Sequence, residues 1–177
     1  MPRFMAPLSL LVFLVLAGCA TLTKEECQSA DWYQIGVTDG AEGYGAERLQ
    51  SHRRACAKVG VSPDAEQWLA GRERGLRLYC TSSKAFEEGQ NGRTIRGGCT
   101  PSETRAMMPA WEWGRMWWQL QQEIISINSE ITTIDDDITA LPADDTVGLG
   151  RLTAEQMHLR NRLRLLYLRQ HRYESYP

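Results

Sequence analysis

The stretch "WWQLQQEIISINSEITTIDDDITAL", Trp117–Leu141, decides the fold. Its apolar positions are Trp117, Leu120, Ile124, Ile127, Ile131, Ile134, Ile138 and Leu141, with steps that alternate between three and four. That spacing is the a/d seam of a helix packed lengthwise against a partner. Isoleucine has only modest helix propensity, so packing rather than propensity must hold such a helix. The next segment, "LPADDTVGLG" (Leu141–Gly150), reads as a loop. Thr153 and Gln156 then form a capping-box pattern that opens a second helix running to about Tyr173, with Leu159, Leu163, Leu166 and Tyr173 on one stripe.

The two helices carry opposite charge. Glu123, Glu130 and Asp135–Asp137 lie on the first; Arg160, Arg162, Arg164, Arg169 and Arg172 lie on the second. At ~1.5 Å per residue their lengths are about 37 and 32 Å, so they can pair side by side. Opposed charge selects partner and orientation more than it adds energy. Residues 111–177 therefore read as a long antiparallel, coiled-coil-like α-hairpin. The rival is a homo-oligomer in which the same C-terminal helices pair between chains.

Upstream, residues 31–110 read as a separate helical domain built on a degenerate aromatic-x-x-Gly pattern. Its copies are "YQIGVTDG" (Tyr33, Gly36, Gly40), "WLAGRERG" (Trp68, Gly71, Gly75), "FEEGQNG" (Phe86, Gly89, Gly92) and, just past the boundary, "WEWG" (Trp111, Gly114). Helix punctuation surrounds them. Asp31 can cap one helix, Ser62-Pro63-Asp64 another, and "TPSE" (Thr100–Glu103) joins a capping box to proline at the first helical position. The expected helices span 31–40, 46–58, 63–79, 83–91 and one from 101 that Pro109 should kink or break.

Glycine within a helix costs about 1 kcal/mol relative to alanine. Two glycines four residues apart expose a bare face that another backbone can approach. The alternatives are that the glycines end shorter helices, or that they open a ligand groove lined by Trp32, Trp68 and Trp111. The fold class is thus all-α: a disulfide-linked bundle of short Gly/aromatic helices followed by the hairpin.

The N-terminus fixes the expected compartment. "MPRFMAPLSLLVFLVLAGC" has Arg3, then roughly a dozen apolar residues, too few for the ~20 of a membrane span and suited to a signal peptide over 1–18. Leu16-Ala17-Gly18-Cys19 looks like a bacterial lipobox, whose thiol takes the lipid after cleavage before the cysteine. Acyl chains bind a bilayer at about 0.8 kcal/mol per buried CH2. Ala20, in place of aspartate, resembles enterobacterial lipoproteins sent to the outer membrane. Residues 19–30 then form a lipidated cysteine and tether. An ordinary signal peptide with a chance cysteine is the alternative.

Cleavage leaves about 160 of the 177 residues, enough for one domain or one and a half. Four cysteines remain: Cys27, Cys56, Cys80 and Cys99. An even number in an exported chain reads as two disulfides, with three possible connectivities. The sequential pairing, Cys27–Cys56 and Cys80–Cys99, closes the shortest loops. A zinc site using His52 and Cys56 is the rival, but no C-x-x-C supports it.

Little chemistry is encoded. Net charge is −2, which leaves no electrostatic footprint for nucleic acid. Asp135-Asp136-Asp137 lacks the spaced ligands and glycine of a calcium loop. Three histidines (His52, His158, His171) and no hydrolase, metalloprotease or phosphate-loop motif point away from an enzyme. No catalytic residue, metal or cofactor is expected.

Taken together, "DWYQIGVTDGAEGYGAERLQSHRRACAKVGVSPD", "WLAGRERGLRLYC", "FEEGQNGR" and Cys99-Thr100-Pro101 resemble the domain-of-unknown-function family 2799 over about residues 27–173. The resemblance implies a bacterial lipoprotein with a C-terminal helical hairpin and no established activity. The expected function is a non-enzymatic structural or interaction role at the periplasmic face of the outer membrane, with a lipid anchor and envelope protein partners. The alternative is a periplasmic binding module for a small ligand or cell-wall glycan.

Overall fold

The computed structural model describes residues 21–177, and these contain helices and turns but no strand. Cys19 and the signal segment lie outside the described residues. The helices are α1 (Lys24–Gln28), α2 (Trp32–Ala41), α3 (Arg48–Cys56), α4 (Ala65–Tyr79), α5 (Ser82–Gln90), α6 (Pro101–Ala140) and α7 (Thr146–His171), with a 3-10 turn at Ala57–Val59. No helix among the described residues is long and apolar enough to cross a membrane.

Local chemistry starts most of these helices. Asp31 caps α2 through the Gln34 N–H, and Thr81 caps α5 through the Lys84 N–H. Thr100 and Glu103 form the expected capping box on α6, with Pro101 in its first turn. Two starts differ from expectation. Asp64, rather than Ser62, caps α4, because its carboxylate takes the N–H groups of both Glu66 and Gln67. Asp145 caps α7 through the Gly148 N–H, so the helix begins seven residues before Thr153. Gly148 and Gly150 belong to its first turns rather than to a loop. The Thr153 hydroxyl instead bonds back to the Leu149 carbonyl.

The expected tether also differs. Thr23 and Glu26 make a second capping box, so part of residues 21–30 folds as α1. The Cys27–Cys56 disulfide fastens that turn to the end of α3.

Glycine faces pair the helices two by two. A Cβ on Gly36 would overlap the Trp68 carbonyl, and one on Gly71 would overlap the Tyr33 carbonyl. Gly40 and Gly75 repeat the arrangement one turn on, against the carbonyls of Arg72 and Val37. Residue numbers rise together along both helices, so α2 and α4 run parallel in backbone contact. The second pair works alike: Gly89 of α5 meets the Trp111 carbonyl, and Gly114 of α6 meets the Phe86 carbonyl. In each case the glycine meets the carbonyl of the residue three before the partner's glycine, and for Gly36, Gly71, Gly89 and Gly114 that residue is the aromatic of the motif. The aromatic-x-x-Gly copies are therefore interlocking halves of two helix pairs.

α6 is one continuous helix of 40 residues, and Pro109 does not end it. A proline inside a helix costs about 3 kcal/mol or more through its lost hydrogen bond and ring clash. Packing offsets that cost. Met107 and Ala110, either side of the proline, are buried against Ala85 of α5, and Gly114 docks one turn later. Arg105, whose carbonyl loses its partner, is exposed. The 110/111 boundary therefore falls within a helix that serves both halves of the chain.

The C-terminal half of α6 buries Leu120, Ile124, Ile127, Ile131 and Ile134 against Leu152, Leu159 and Leu166 of α7. Glu123 pairs with Arg162, Gln121 with Gln170 and Asp135 with Gln156, so contacts step in opposite directions along the two helices.

The glycine contacts generate a test. Gly71→Ala should destabilise the protein by about 3 kcal/mol in urea unfolding, since the Cβ meets rigid backbone. Gly97→Ala, with open space around its Cβ, should stay within about 0.5 kcal/mol of the parent.

Candidate functional site

The four described cysteines form the sequential pairs. Cys27–Cys56 and Cys80–Cys99 have Cα separations of 5.4 and 5.7 Å, ordinary for disulfides. Cys56 is thereby removed as a thiolate ligand, which disposes of the zinc alternative with His52.

Trp32, Trp68 and Trp111 do not line a common groove. Trp32 and Trp68 are buried in one cluster with Leu49 and the Cys27–Cys56 bridge. Trp111 is half-buried beside a different cluster, around Ala85, Met107 and Ala110. The reason is the backbone contact just described: the bare glycine faces are filled by the partner helix, leaving no slot for a ligand.

What gathers around Trp68 is a buried polar centre. Asp39 sits on α2 beside Gly40 and is 5% exposed. Its carboxylate accepts three hydrogen bonds: from His52 Nε2 (2.7 Å), from Trp68 Nε1 (2.9 Å) and from Arg48 Nε (3.2 Å). His52 is 1% exposed, and its Nδ1 lies 2.8 Å from the Thr21 hydroxyl. With Nε2–H donating to the carboxylate, the ring bridges the Asp39 carboxylate and the Thr21 hydroxyl. Burial pushes the Asp39 carboxyl up, but the His52, Trp68 and Arg48 contacts outweigh it and hold it below the ordinary carboxylate value.

In connectivity, Thr21–His52–Asp39 resembles a nucleophile–base–acid relay. Its surroundings favour a lock. Asp39 is also tied by Trp68 and Arg48, the imidazole is sealed from solvent, and the hydroxyl belongs to the segment just before α1. The centre joins α2, α3, α4 and that N-terminal segment at one carboxylate. Sequence reading passed over Asp39; its one signal was a carboxylate inside an otherwise apolar, glycine-rich helix.

A second feature lies where α6 meets the C-terminus. A groove of about 720 Å³ is lined by Trp111, Trp113, Met116, Tyr173 and Tyr176, with Glu112 and Arg115 at its polar positions. Trp113 and Tyr173 pack with centroids 4.7 Å apart. The Trp113 indole donates to the Ser175 carbonyl (2.9 Å), and that of Trp111 donates to the Arg93 carbonyl (2.8 Å). Tethered aromatic faces flanked by a carboxylate and a guanidinium can stack on a flat apolar face while bonding its polar edge. Of this group only Trp111 stood out in the sequence as a binding residue. Trp113, Tyr173 and Tyr176 join it because α7 returns alongside α6.

The Asp39 centre makes folding pH-dependent. A carboxyl depressed in the folded state stabilises fully above its ordinary value near 3.8 and loses that stabilisation as pH falls through the folded value. Asp39→Asn should lower stability by about 3 kcal/mol at neutral pH and flatten the acid limb of a urea-midpoint profile. An unchanged acid limb would show that the carboxylate does not carry the effect.

No curated protein and no solved structure is significantly similar to this chain. A family model does match: residues 31–116 fit the one described as Protein of unknown function (DUF2799). The match takes in α2 to α5 and the start of α6, including all four aromatic-x-x-Gly copies, and stops short of the α6–α7 contact. It is narrower than the 27–173 expected. Residues 31–116, which carry the interlocking glycine helices, are thus the part of the chain that matches the DUF2799 family.

Proposed function

We propose that this protein is an exported lipoprotein, anchored through Cys19 at the periplasmic face of the outer membrane, that acts by binding envelope partners rather than by catalysis. The observation that carries this reading is the lipobox-like Leu16-Ala17-Gly18-Cys19 ahead of a chain whose other four cysteines are all disulfide-bonded. Cytosolic thiols stay reduced, so two structural disulfides favour an oxidising space. Ala20 favours the outer membrane. The Asp39 centre supports a holding role, since the groups that could move a proton there are bonded to one another. Residues 21–30 add to this. If the anchor is at residue 19, little chain separates it from the first residue bonded to the domain, Thr21, so the folded body would be held close to the bilayer.

Metabolic labelling with a palmitate analogue, followed by membrane fractionation, tests the anchor. The parent should be labelled and sediment with outer membranes. Cys19→Ser should lose the label and become soluble. A parent chain that is unlabelled and soluble would refute the reading.

The aromatic groove favours a second reading, a binding module for a cell-wall glycan or small ligand. Its aromatics are Trp111, Trp113, Tyr173 and Tyr176 rather than Trp32 and Trp68. Titration with muropeptides should then change tryptophan fluorescence saturably, and Trp113→Ala should weaken binding about tenfold or more. A flat titration of the parent protein would remove this reading.

A further inference from the structure

The protein covers several of its aromatic rings with its own guanidinium groups. Arg48 and Arg96 both lie over the Tyr44 ring, 4.1 and 4.2 Å from its centroid. Arg115 lies over Trp118 at 4.7 Å and over Trp111 at 5.5 Å. The ring quadrupole draws a cation to an aromatic face within about 6 Å. Among the described residues, no cation of the chain lies over Trp113, Tyr173 or Tyr176, the rings that line the groove between α6 and the C-terminal segment. Tyr176 is 37% exposed and the other two are half-buried, so a ligand can reach them.

The charge in this groove is unpartnered as well. Pro109, Glu112, Met116 and Gln119 follow one another at steps of three and four, so one stripe of α6 lines it. Glu112 stands within that stripe and is exposed. Among the described residues its carboxylate has no cation within ion-pair distance. Arg115, the one cation on the lining, is engaged elsewhere. Its guanidinium donates to the Gly92 carbonyl (3.3 Å) and stacks on Trp118, and neither of those residues lines the groove.

The remaining polar groups narrow the ligand class. The indole N–H groups of Trp111 and Trp113 are spent on the carbonyls of Arg93 and Ser175. An anion would therefore meet a carboxylate and no uncommitted cation. A primary ammonium brings three N–H donors, each needing an acceptor, and the side-chain acceptors on the α6 stripe are the Glu112 carboxylate and the Gln119 amide oxygen. A methylated ammonium needs no acceptor. Its methyl groups carry the positive charge against ring faces and the Met116 side chain, and one carboxylate suffices as counter-ion.

We propose that this groove binds a trimethylammonium group, with its methyls against Trp113, Tyr173 and Tyr176 and its charge opposed by Glu112. The proposal rests on the groove being a ligand site, the second reading above, and names the chemical class of the ligand. A groove of about 720 Å³ also has room for the rest of a small molecule beyond that head.

Titration of the purified full-length protein in neutral detergent, followed through the NMR signals of its indole N–H groups, tests it. Choline should shift the Trp113 signal saturably and leave that of Trp32, buried in another cluster, unmoved. The neutral alcohol in which carbon replaces the nitrogen of choline should bind about tenfold more weakly. Glu112→Gln and Tyr176→Ala should each weaken choline about threefold or more. Both side chains are exposed, so thermal unfolding of the variants should match the parent. A soluble short-chain phosphatidylcholine that binds more tightly than choline would assign the group to a lipid head, and one that binds no more tightly would assign it to a free solute; either supports the proposal. No saturable shift at Trp113, equal binding of the neutral alcohol, or full affinity in Glu112→Gln would each overturn it. If muropeptides or the neutral alcohol then still bind, only the ligand class fails and the groove remains a binding site; if none binds, both readings fall.

Discussion

The contact on which this protein depends is glycine against carbonyl. Four helices meet in two pairs, and at each crossing a glycine on one helix lies against the backbone of the other. The contact is reciprocal, so neither helix of a pair can gain a side chain at the crossing without pushing both backbones apart. Glycine gives up helix propensity at every such position, and the return comes from axes brought closer than side chains would permit, with dispersion contacts and Cα–H···O approaches along the crossing. In membranes, small residues four apart serve the same end between helices that gain nothing from hydrophobic burial.

That economy shapes the rest of the N-terminal half. Helices in backbone contact bury few large side chains between them, so the apolar clusters are small: five buried residues in the one that includes Trp68, three in the one that includes Met107. Other interactions supply the remainder. Each cluster has a disulfide in or against it, and bridges of this kind restrain the unfolded chain most usefully where the core is thin. The Asp39 centre binds three helices and the N-terminal segment through one carboxylate. The Glu88 carboxylate does similar work on a smaller scale, taking two hydrogen bonds from Arg93 and so holding the loop after α5. The C-terminal half is built on the opposite principle, a long row of isoleucine and leucine with no glycine in the contact. α6 belongs to both, since its first turns dock glycine to backbone on α5 and its last turns bury apolar side chains on α7.

Much of this could be read residue by residue. The a/d rhythm from Leu120 to Ile134 marks the face that α6 buries, and Asp31 and the Thr100–Glu103 box mark where helices start. The sequential cysteine pairs followed from loop length. The misreadings have specific causes. Pro109, Gly148 and Gly150 obey local rules that weaken helices, and were read as breaks. Packing around Met107 and Ala110 overrides the first, while the Asp145 cap carries α7 through the two glycines. The candidate site was the least legible part. Trp32 and Trp68 stood out as aromatics beside glycine, yet the same glycines are why those rings are buried rather than lining a groove.

By itself the sequence determined the helical class, the caps of α2 and α6, the apolar rhythm of α6 and a cysteine inventory that closes into two bridges. These depend on neighbours within a turn or two, or on loop length alone. Only the tertiary structure decided which glycine face meets which carbonyl, that Asp39, His52 and Trp68 converge on one buried point, that Trp113 meets Tyr173, and which face of α7 stays bare. Those facts join residues between thirteen and sixty positions apart. Which distant partner a face acquires is set by the summed packing of every element at once, and no local pattern records that choice.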